Sequence, residues 1–537
     1  MMDSLLLYKI LKNRTGAEIS ASGNPAIMTN ALKNNPMNEM KVYGWSKQET
    51  TTGAQLFPTI TPSTEVKSGI TVEYMEHGKI HISGTSEKTV DFTTPTFEVL
   101  AGTYTLSMGV NIDNTLMRCT LSTVEGVPYF DILDNKASKT ETIKDNVKLY
   151  LLLRIYGGKT IDTTIQPMLN TGTSPLPWEP YTGGQPSPNP EYPQEIESAG
   201  SDGKIGMEVR GKNLFDFSRL VSDGVNVMNH EKQTITIPAK TNNTGYNQTL
   251  RDLCPGIAPG IYVFSMKRSN PNSGNGSYFL EATKDFPINT PIELTDELLD
   301  NHISWYNSDT SEVENVISEI QIEKGNAVTS YEPYHEPQSL SIQTPTGLPA
   351  IPVTSGGNYT DANGQQWISD YVDLKRGKYV QMIQTDKVQS NITWNIQKQS
   401  RGYSLGYATL YKNGISTQKP GMRNTWKSNM GDSSNMWSNG FSFGRSTVFW
   451  IIPYENDGNI TSDDINAWLA EHPMDIMYPL ATPIEHDLTQ DEIKAYQNLV
   501  TYAGTTIVEN DAECYMEVSA GGGDSLRAKK LALILGD

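Results

Sequence analysis

Gly69-Ile-Thr-Val-Glu-Tyr-Met-Glu-His-Gly-Lys-Ile-His-Ile-Ser83 is the stretch that decides the fold class. Apolar side chains fall at Ile70, Val72 and Tyr74, then again at Ile80 and Ile82, so each half has one apolar and one polar face. That period of two is the pattern of a half-buried strand. His77-Gly78 sits between the halves, where a hairpin needs a residue that tolerates a left-handed backbone. Tyr104-Thr-Leu-Ser-Met108 and Thr234-Ile-Thr-Ile237 alternate in the same way. Lys148-Leu-Tyr-Leu-Leu-Leu-Arg154 is more continuously apolar and reads as a central strand. Short strands at this density predict a mainly β fold of tandem two-sheet β-sandwich domains of the jelly-roll kind.

Working outward, the chain uses one phrase twice. Trp178-Glu-Pro-Tyr181 and Tyr331-Glu-Pro-Tyr334 match, as do Ala101-Gly-Thr-Tyr104 with Pro259-Gly-Ile-Tyr262, and Leu56-Phe57 with Leu214-Phe215. Paired positions lie 153 to 158 residues apart, a constancy that unrelated short words would not show. Two copies of one module are therefore expected.

At 537 residues the chain exceeds what one hydrophobic core supports, so several domains are expected. Residues 1–53 read as an N-terminal attachment or oligomerisation leader, with a short helix in Leu5-Leu-Leu-Tyr-Lys-Ile-Leu11 and a strand pair around Pro25–Met28 and Met40–Gly44. Residues 54–182 are the first sandwich. Gly183-Gly-Gln-Pro-Ser-Pro-Asn-Pro-Glu-Tyr-Pro193 opens a linker over 183–202, expected as a polyproline II spacer of roughly 30 Å. The second sandwich covers 203–335, a connector and hairpin 336–375, a third β-rich module 376–482, and a helical and β tail 483–537. Short helices are expected in both terminal regions, with Ser462 capping one, a Thr489/Glu492 capping box starting another, and a third in 524–535.

Charge and cysteines narrow the function classes. Lys and Arg number 42 against 61 Asp and Glu, a net charge of −19 with no basic cluster to follow a phosphate backbone, so nucleic acid is not an expected partner. Cys119, Cys254 and Cys514 are too scattered for a disulfide framework or a zinc knuckle. No apolar run is long enough for membrane insertion.

Several longer phrases carry a resemblance. Gly23-Asn-Pro25 followed by Val42-Tyr-Gly44, Gly184-Gln-Pro-Ser-Pro188, Gln321-Ile-Glu-Lys-Gly-Asn-Ala-Val-Thr-Ser-Tyr-Glu-Pro-Tyr334, Gly357-Asn-Tyr-Thr-Asp-Ala-Asn-Gly-Gln-Gln-Trp367 and Tyr478-Pro-Leu-Ala-Thr-Pro-Ile484 are similar to minor tail or baseplate proteins of phages and prophages of Gram-positive, clostridial-type bacteria. The resemblance implies a virion tail component assembled in the host cytoplasm. It further implies a homo-oligomer, commonly a trimer, contacting other phage tail and baseplate proteins, with sandwich modules similar to carbohydrate-binding modules facing host cell-surface polysaccharide. It transfers no catalytic residue.

A sugar site needs exposed aromatic platforms beside amides and carboxylates, because a pyranose has an apolar face and a hydroxyl rim. Trp305 and Tyr306, among Asn301, His302, Asn307 and Asp309, fit that chemistry, with Tyr246 on a neighbouring loop. Trp426 and Trp437 in the third module are the other glycan-binding candidates. Trp178 and Tyr334 read as seals at the ends of their sandwiches. Glu312, Glu314, Glu319 and Glu323 form the densest acidic cluster, but glycan cleavage needs two carboxylates about 5 to 9.5 Å apart across a cleft. A solvated strand face explains the cluster without catalysis. His77 and His81 straddle a turn, and Arg210-Gly-Lys212 and Arg376-Gly-Lys378 read as exposed basic turns. No catalytic residue, metal or cofactor is expected, while a structural calcium in a sandwich loop stays open. The expected function is non-enzymatic host attachment. The alternatives are a purely architectural tail subunit and a cell-wall polysaccharide depolymerase.

Overall fold

Alternating sequence becomes antiparallel sheet almost throughout the computed structural model of the protein. The structure describes residues 18–521 apart from 133–134, 223, 241–247, 271–276, 280–283, 286, 306, 308–310, 389, 391, 399–403, 409–420, 426–439, 444–448 and 453–459. Helices expected in 5–11 and 524–535 lie outside these residues. The fold is mainly β, with several antiparallel sheets and a few short helices, the longest near the C-terminus. The chain divides into two compact units, one of Met1–Ser46, Ser198–Ile383 and Pro483–Asp537, the other of Lys47–Glu197 and Gln384–Thr482. Each unit is therefore assembled from segments distant in sequence.

In the unit that holds the first repeat, Ile70–Tyr74 has the burial alternation that its sequence predicts, and Ile80–Thr85 pairs with it. Thr160–Ile165 continues this sheet, while Gly102–Ser107 pairs with Ser138–Ile143 and Met168–Thr171. A second layer is built on Val147–Ile155, flanked by Met117–Thr123 on one side and by Val90–Thr93 and Phe97–Val99 on the other. Ile70, Val72, Ile82 and Leu106 from the first set of strands share one core with Leu121, Phe130, Leu151 and Leu153 from the second. Burying these side chains stabilises the module by about 1.5–3 kcal/mol each before the conformational entropy of ordering is counted.

The second repeat shares part of this connectivity, although among the described residues it has no strands matching Val90–Thr93 and Phe97–Val99 and carries the short helices Leu250–Leu253 and Asp296–Leu299. Gly260–Arg268 pairs with Pro291–Leu294 and Asn315–Lys324, as Gly102–Ser107 pairs with its two neighbours. Ile303–Trp305 and Lys284–Asp285 flank Ser277–Phe279, and Val227–Asn229 and Asn315–Lys324 flank Thr234–Ile237, both again as in the first copy. Side chains repeat too. The Tyr104 hydroxyl donates to the Leu100 carbonyl at 3.0 Å, and the Tyr262 hydroxyl to the Ala258 carbonyl at 2.7 Å. Gln55 Oε1 accepts from the Phe57 and Leu169 amides, each at 3.0 Å, and Asn213 Oδ1 accepts from Phe215 at 3.0 Å and Ile322 at 3.2 Å. One difference is local. The single strand Asn315–Lys324 is replaced in the first copy by two strands on either side of Pro167, which has no amide for the ladder.

The leader does not stand apart. Ile19–Gly23 and Met37–Tyr43 flank Tyr515–Ala520, and Ala26–Ala31 pairs with Gly504–Asn510. The two leader strands expected to pair with each other therefore pair with the C-terminal strands instead. Met28, Met40 and Val42 are buried against Val508, Met516 and Val518, which completes a core that fifty residues could not close alone. Lys204–Arg210 and Gln338–Gln343 pair in the same unit, so the stretch between them, 211–337, begins and ends at two partnered strands, and Lys204–Arg210, expected within the second sandwich, pairs outside it.

The proline-rich segment is not an extended spacer. Gln185 N donates to the Thr182 carbonyl at 3.1 Å, Ser187 and Thr51 exchange backbone bonds of 3.0 and 3.2 Å, and Asn189 and Tyr192 exchange bonds of 3.3 and 3.1 Å. Asn189 Oδ1 also accepts from the Tyr192 amide at 2.9 Å. Polyproline II has no internal hydrogen bonds, so the donors between the prolines decide for a pinned turn. The Ser462–Glu471 helix starts one residue earlier than expected. Thr461 is its cap and Asp464 completes the box, whereas Thr489 and Glu492 cap Gln490–Asn498 as the sequence predicts.

Candidate ligand cleft

The strand Ile70–Tyr74 ends at a tight turn, Glu76–Gly78, before Ile80–Thr85 begins. His77 and Gly78 both have left-handed backbones, φ 55° and 64°. Into this corner comes Trp178, brought from a hundred residues away. Its neighbour Glu179 anchors the phrase, accepting from the Thr52 amide at 2.9 Å, the Thr52 hydroxyl at 3.0 Å and the Ala54 amide at 2.5 Å. Burial alone would raise the Glu179 carboxyl, but these donors prevail and hold it below the usual range. The indole then lies on Gly78: a Cβ there would stand 3.0 Å from Trp178 Cζ2 and 3.2 Å from Nε1. The His77 ring meets it edge-on, with centroids 6.5 Å apart.

A cleft of about 230 Å³ opens beside this pair, walled by Phe57, Ile60, Ile80 and Pro180, with Tyr74 and Trp178 in its lining. Tyr74 is 6% exposed, yet its hydroxyl has no hydrogen-bond partner among the described residues, and neither does Trp178 Nε1. An unmade buried hydrogen bond costs about 1–3 kcal/mol. Burial first, and then the charge of Glu65, push the Tyr74 phenol up to about 12, so it stays a neutral donor and acceptor. The arrangement is a mainly apolar slot, the usual lining of a small-ligand site, with the two unbonded polar atoms buried within its walls and not open to it.

In the second repeat the corresponding aromatic is hydrogen-bonded. Tyr331 stands where Trp178 does, and its hydroxyl donates to Gln233 Oε1 at 3.0 Å. Glu332 keeps the anchoring role of Glu179, accepting from the Thr505 amide at 2.9 Å and the Thr505 hydroxyl at 3.0 Å. Same scaffold, same anchor, but no unpaired donor on the aromatic.

The residues singled out from the sequence lie elsewhere. Trp305 is 0% exposed, packed between Phe215 and Phe264 at centroid distances of 6.2 and 6.1 Å, so it is core and not a surface platform. Its polar sequence neighbours suggest a surface, but Trp305 belongs to the core with Phe215, Phe264 and Ile303. Tyr246, Tyr306, Trp426 and Trp437 lie outside the described residues. Within the acidic cluster, Glu319 pairs with Lys267 at 2.6 Å, Glu312 with Lys240 at 2.8 Å, and Glu323 accepts from the Thr329 amide at 2.8 Å. Arg210 and Lys212, expected to be exposed, are buried, because Glu509 takes the guanidinium at 2.7 Å and Glu332 the ammonium at 3.2 Å. Among the described residues, no three His, Cys, Asp or Glu side chains gather as a metal ion would need, and no helix is long and apolar enough to cross a membrane. The three cysteines are free and buried. Sequence alone reads Trp178 as a seal and gives no sign of the cleft, although the doubled phrase and the His77-Gly78 turn mark its two walls.

No protein-family model matches the sequence, and no curated protein matches it. Among solved structures, the Faustovirus major capsid protein aligns over 94% of this chain and 88% of its own at 6% identity, with a TM-score of 0.08. At that score the alignment says nothing about fold or function.

Proposed function

We propose that the protein is a non-catalytic attachment component of a phage tail or baseplate, which holds host cell-surface glycan in the cleft of its first module. The observation that carries the reading is that cleft, an apolar slot lined by Trp178, Phe57 and Pro180 with Glu49, Lys79 and Gln194 also in its lining. Aromatic surface with polar side chains in the same lining suits a pyranose, which offers an apolar face and a rim of hydroxyls. The phrases resembling tail and baseplate proteins favour the virion setting, and the paired sheet layers of the two repeats favour jelly-roll modules. A single shallow sugar site at a dissociation constant near 1 mM contributes only about −4 kcal/mol. Trimeric assembly on a tail, part of the same proposal, multiplies such sites and raises avidity about a hundredfold or more.

The test is sedimentation of fluorescent protein with host-type cells before and after their wall polysaccharide is stripped. Saturable binding that is lost on stripping and lost in Trp178→Ala supports the reading. A folded protein that sediments with neither preparation refutes it. In the second repeat Tyr331 is bonded to Gln233, which favours a second reading in which that module is purely architectural.

A further inference from the structure

We infer that the second module forms an internal covalent cross-link, an amide between the side chains of Lys212 and Gln321, with release of ammonia. The fold already gathers the reacting groups. Lys212 follows the strand Lys204–Arg210, Gln321 lies in Asn315–Lys324, and both are buried. The Ser330 carbonyl accepts from Lys212 Nζ and, at 3.5 Å, from Gln321 Nε2, so the two side-chain nitrogens lie beside each other. A lysine amine is a nucleophile on a flexible stem, and the Gln321 carboxamide is the electrophile within its reach.

The groups that such a reaction needs surround this pair. Glu332 Oε1 stands 3.2 Å from Lys212 Nζ and takes the proton that frees its lone pair. The Glu332 amide donates to Gln321 Oε1 at 2.9 Å, where negative charge develops as Nζ adds to Cδ. Thr329 Oγ1 accepts from Nζ at 2.6 Å and donates to Glu323 Oε2 at 2.6 Å. Glu323 Oε1 in turn accepts from Gln321 Nε2 at 2.9 Å. A second proton therefore leaves Nζ through the Thr329 hydroxyl to Glu323 and passes from Glu323 to Nε2. The Nζ–Cδ bond forms, the Cδ–Nε2 bond breaks and ammonia departs, while the first proton stays on Glu332. No oxidant or other co-reactant enters. Thr329 and Ser330 are exposed, which gives the ammonia a way out.

A lysine that served only an ion pair would be met by Glu332 alone. It would need neither a carboxylate on the amide nitrogen nor a hydroxyl joining that carboxylate to Nζ. The first copy supplies a contrast, because Ala54 stands where Lys212 does and Glu179, the counterpart of Glu332, takes its backbone amide instead. The link ties the start of the stretch 211–337 to the strand Asn315–Lys324, so that a pull along the chain is carried across the module by covalent bonds.

The test is the mass of the purified full-length protein under denaturing conditions, followed by peptide mapping. The expected mass is one ammonia below that of the sequence, with the peptides holding Lys212 and Gln321 recovered as one branched species. Lys212→Arg, which keeps a cation beside Glu332 and removes the primary amine, should show its full sequence mass with unchanged circular dichroism. Glu323→Gln should form the link about a hundredfold more slowly or not at all. A wild-type protein that keeps its full mass after prolonged incubation in the folded state overturns the inference. So does an ammonia loss that persists in Lys212→Arg, which assigns it to another amide.

Discussion

Trp305→Ala separates a core residue from a ligand platform most sharply. The side chain is 0% exposed and packs edge-on to Phe215 at 79° and tilted to Phe264 at 56°. Truncating a buried Trp costs about 3–5 kcal/mol, in which the loss of two aromatic pairs of about 0.5–1.5 kcal/mol each is included. Against the roughly 5–15 kcal/mol that holds an ordinary domain, about 4 kcal/mol is a quarter or more of the total. The second repeat should remain folded but open far more often. Hydrogen exchange of the full-length protein reads this directly. The slowest amides of Gly260–Arg268 and Asn315–Lys324, which flank the core, should exchange about a thousandfold faster, since each 1.36 kcal/mol is a factor of ten. Amides of Ile70–Tyr74 in the first repeat should not change. A change below about tenfold in the second repeat would refute the burial argument, and loss of sugar binding with intact protection would return Trp305 to the surface.

Further expectations concern both repeats and one buried acid. Tyr104→Phe and Tyr262→Phe each remove one hydroxyl-to-carbonyl bond and keep the ring, so each should cost about 1 kcal/mol in its own module by denaturant titration; sharply unequal losses would count against equivalent corners. Gly78→Ala should lower the stability of the first module by about 1–2 kcal/mol through its left-handed backbone, read as a lower denaturation midpoint. Burial pushes the Asp370 carboxyl up to about 7 from an ordinary 3.8, against bonds from the Tyr379 hydroxyl and the Met382 and Ile383 amides that favour the ion. The folded state therefore holds this proton more tightly than the unfolded state. Its contribution is present below about pH 4 and lost as pH rises through about 7. Asp370→Asn should flatten that stretch of the stability–pH curve, and an unchanged slope would exclude Asp370 as its source.

What local sequence specifies was legible. Period-two alternation at Ile70, Val72 and Tyr74 needs no distant partner to be read, because successive side chains of a strand point to opposite faces whatever they meet. The same holds for the Thr489/Glu492 box, a reciprocal contact within one turn of helix, and for the repeated phrases, at whose matched positions Tyr104 and Tyr262 make like hydroxyl bonds. The cleft was half legible. Its turn and its doubled phrase are visible in the sequence, but nothing in their spacing places Trp178 on Gly78.

Tertiary structure alone decided three things. It joined the Met37–Tyr43 strand to Tyr515–Ala520, since a backbone ladder accepts any register-compatible strand and the choice rests on which apolar faces complete a core. It turned Trp305 inward, because burial depends on Phe215 and Phe264 arriving from elsewhere in the chain, not on the polar residues beside it. It left Trp178 Nε1 without an acceptor while giving the hydroxyl of Tyr331 one in Gln233, a difference set by side chains a hundred residues from either aromatic. Sequence by itself determined that the chain folds as a mainly β protein, because strand periodicity is a local property. Where the cleft opens is a property of contacts between distant segments, and it exists only once the chain has folded.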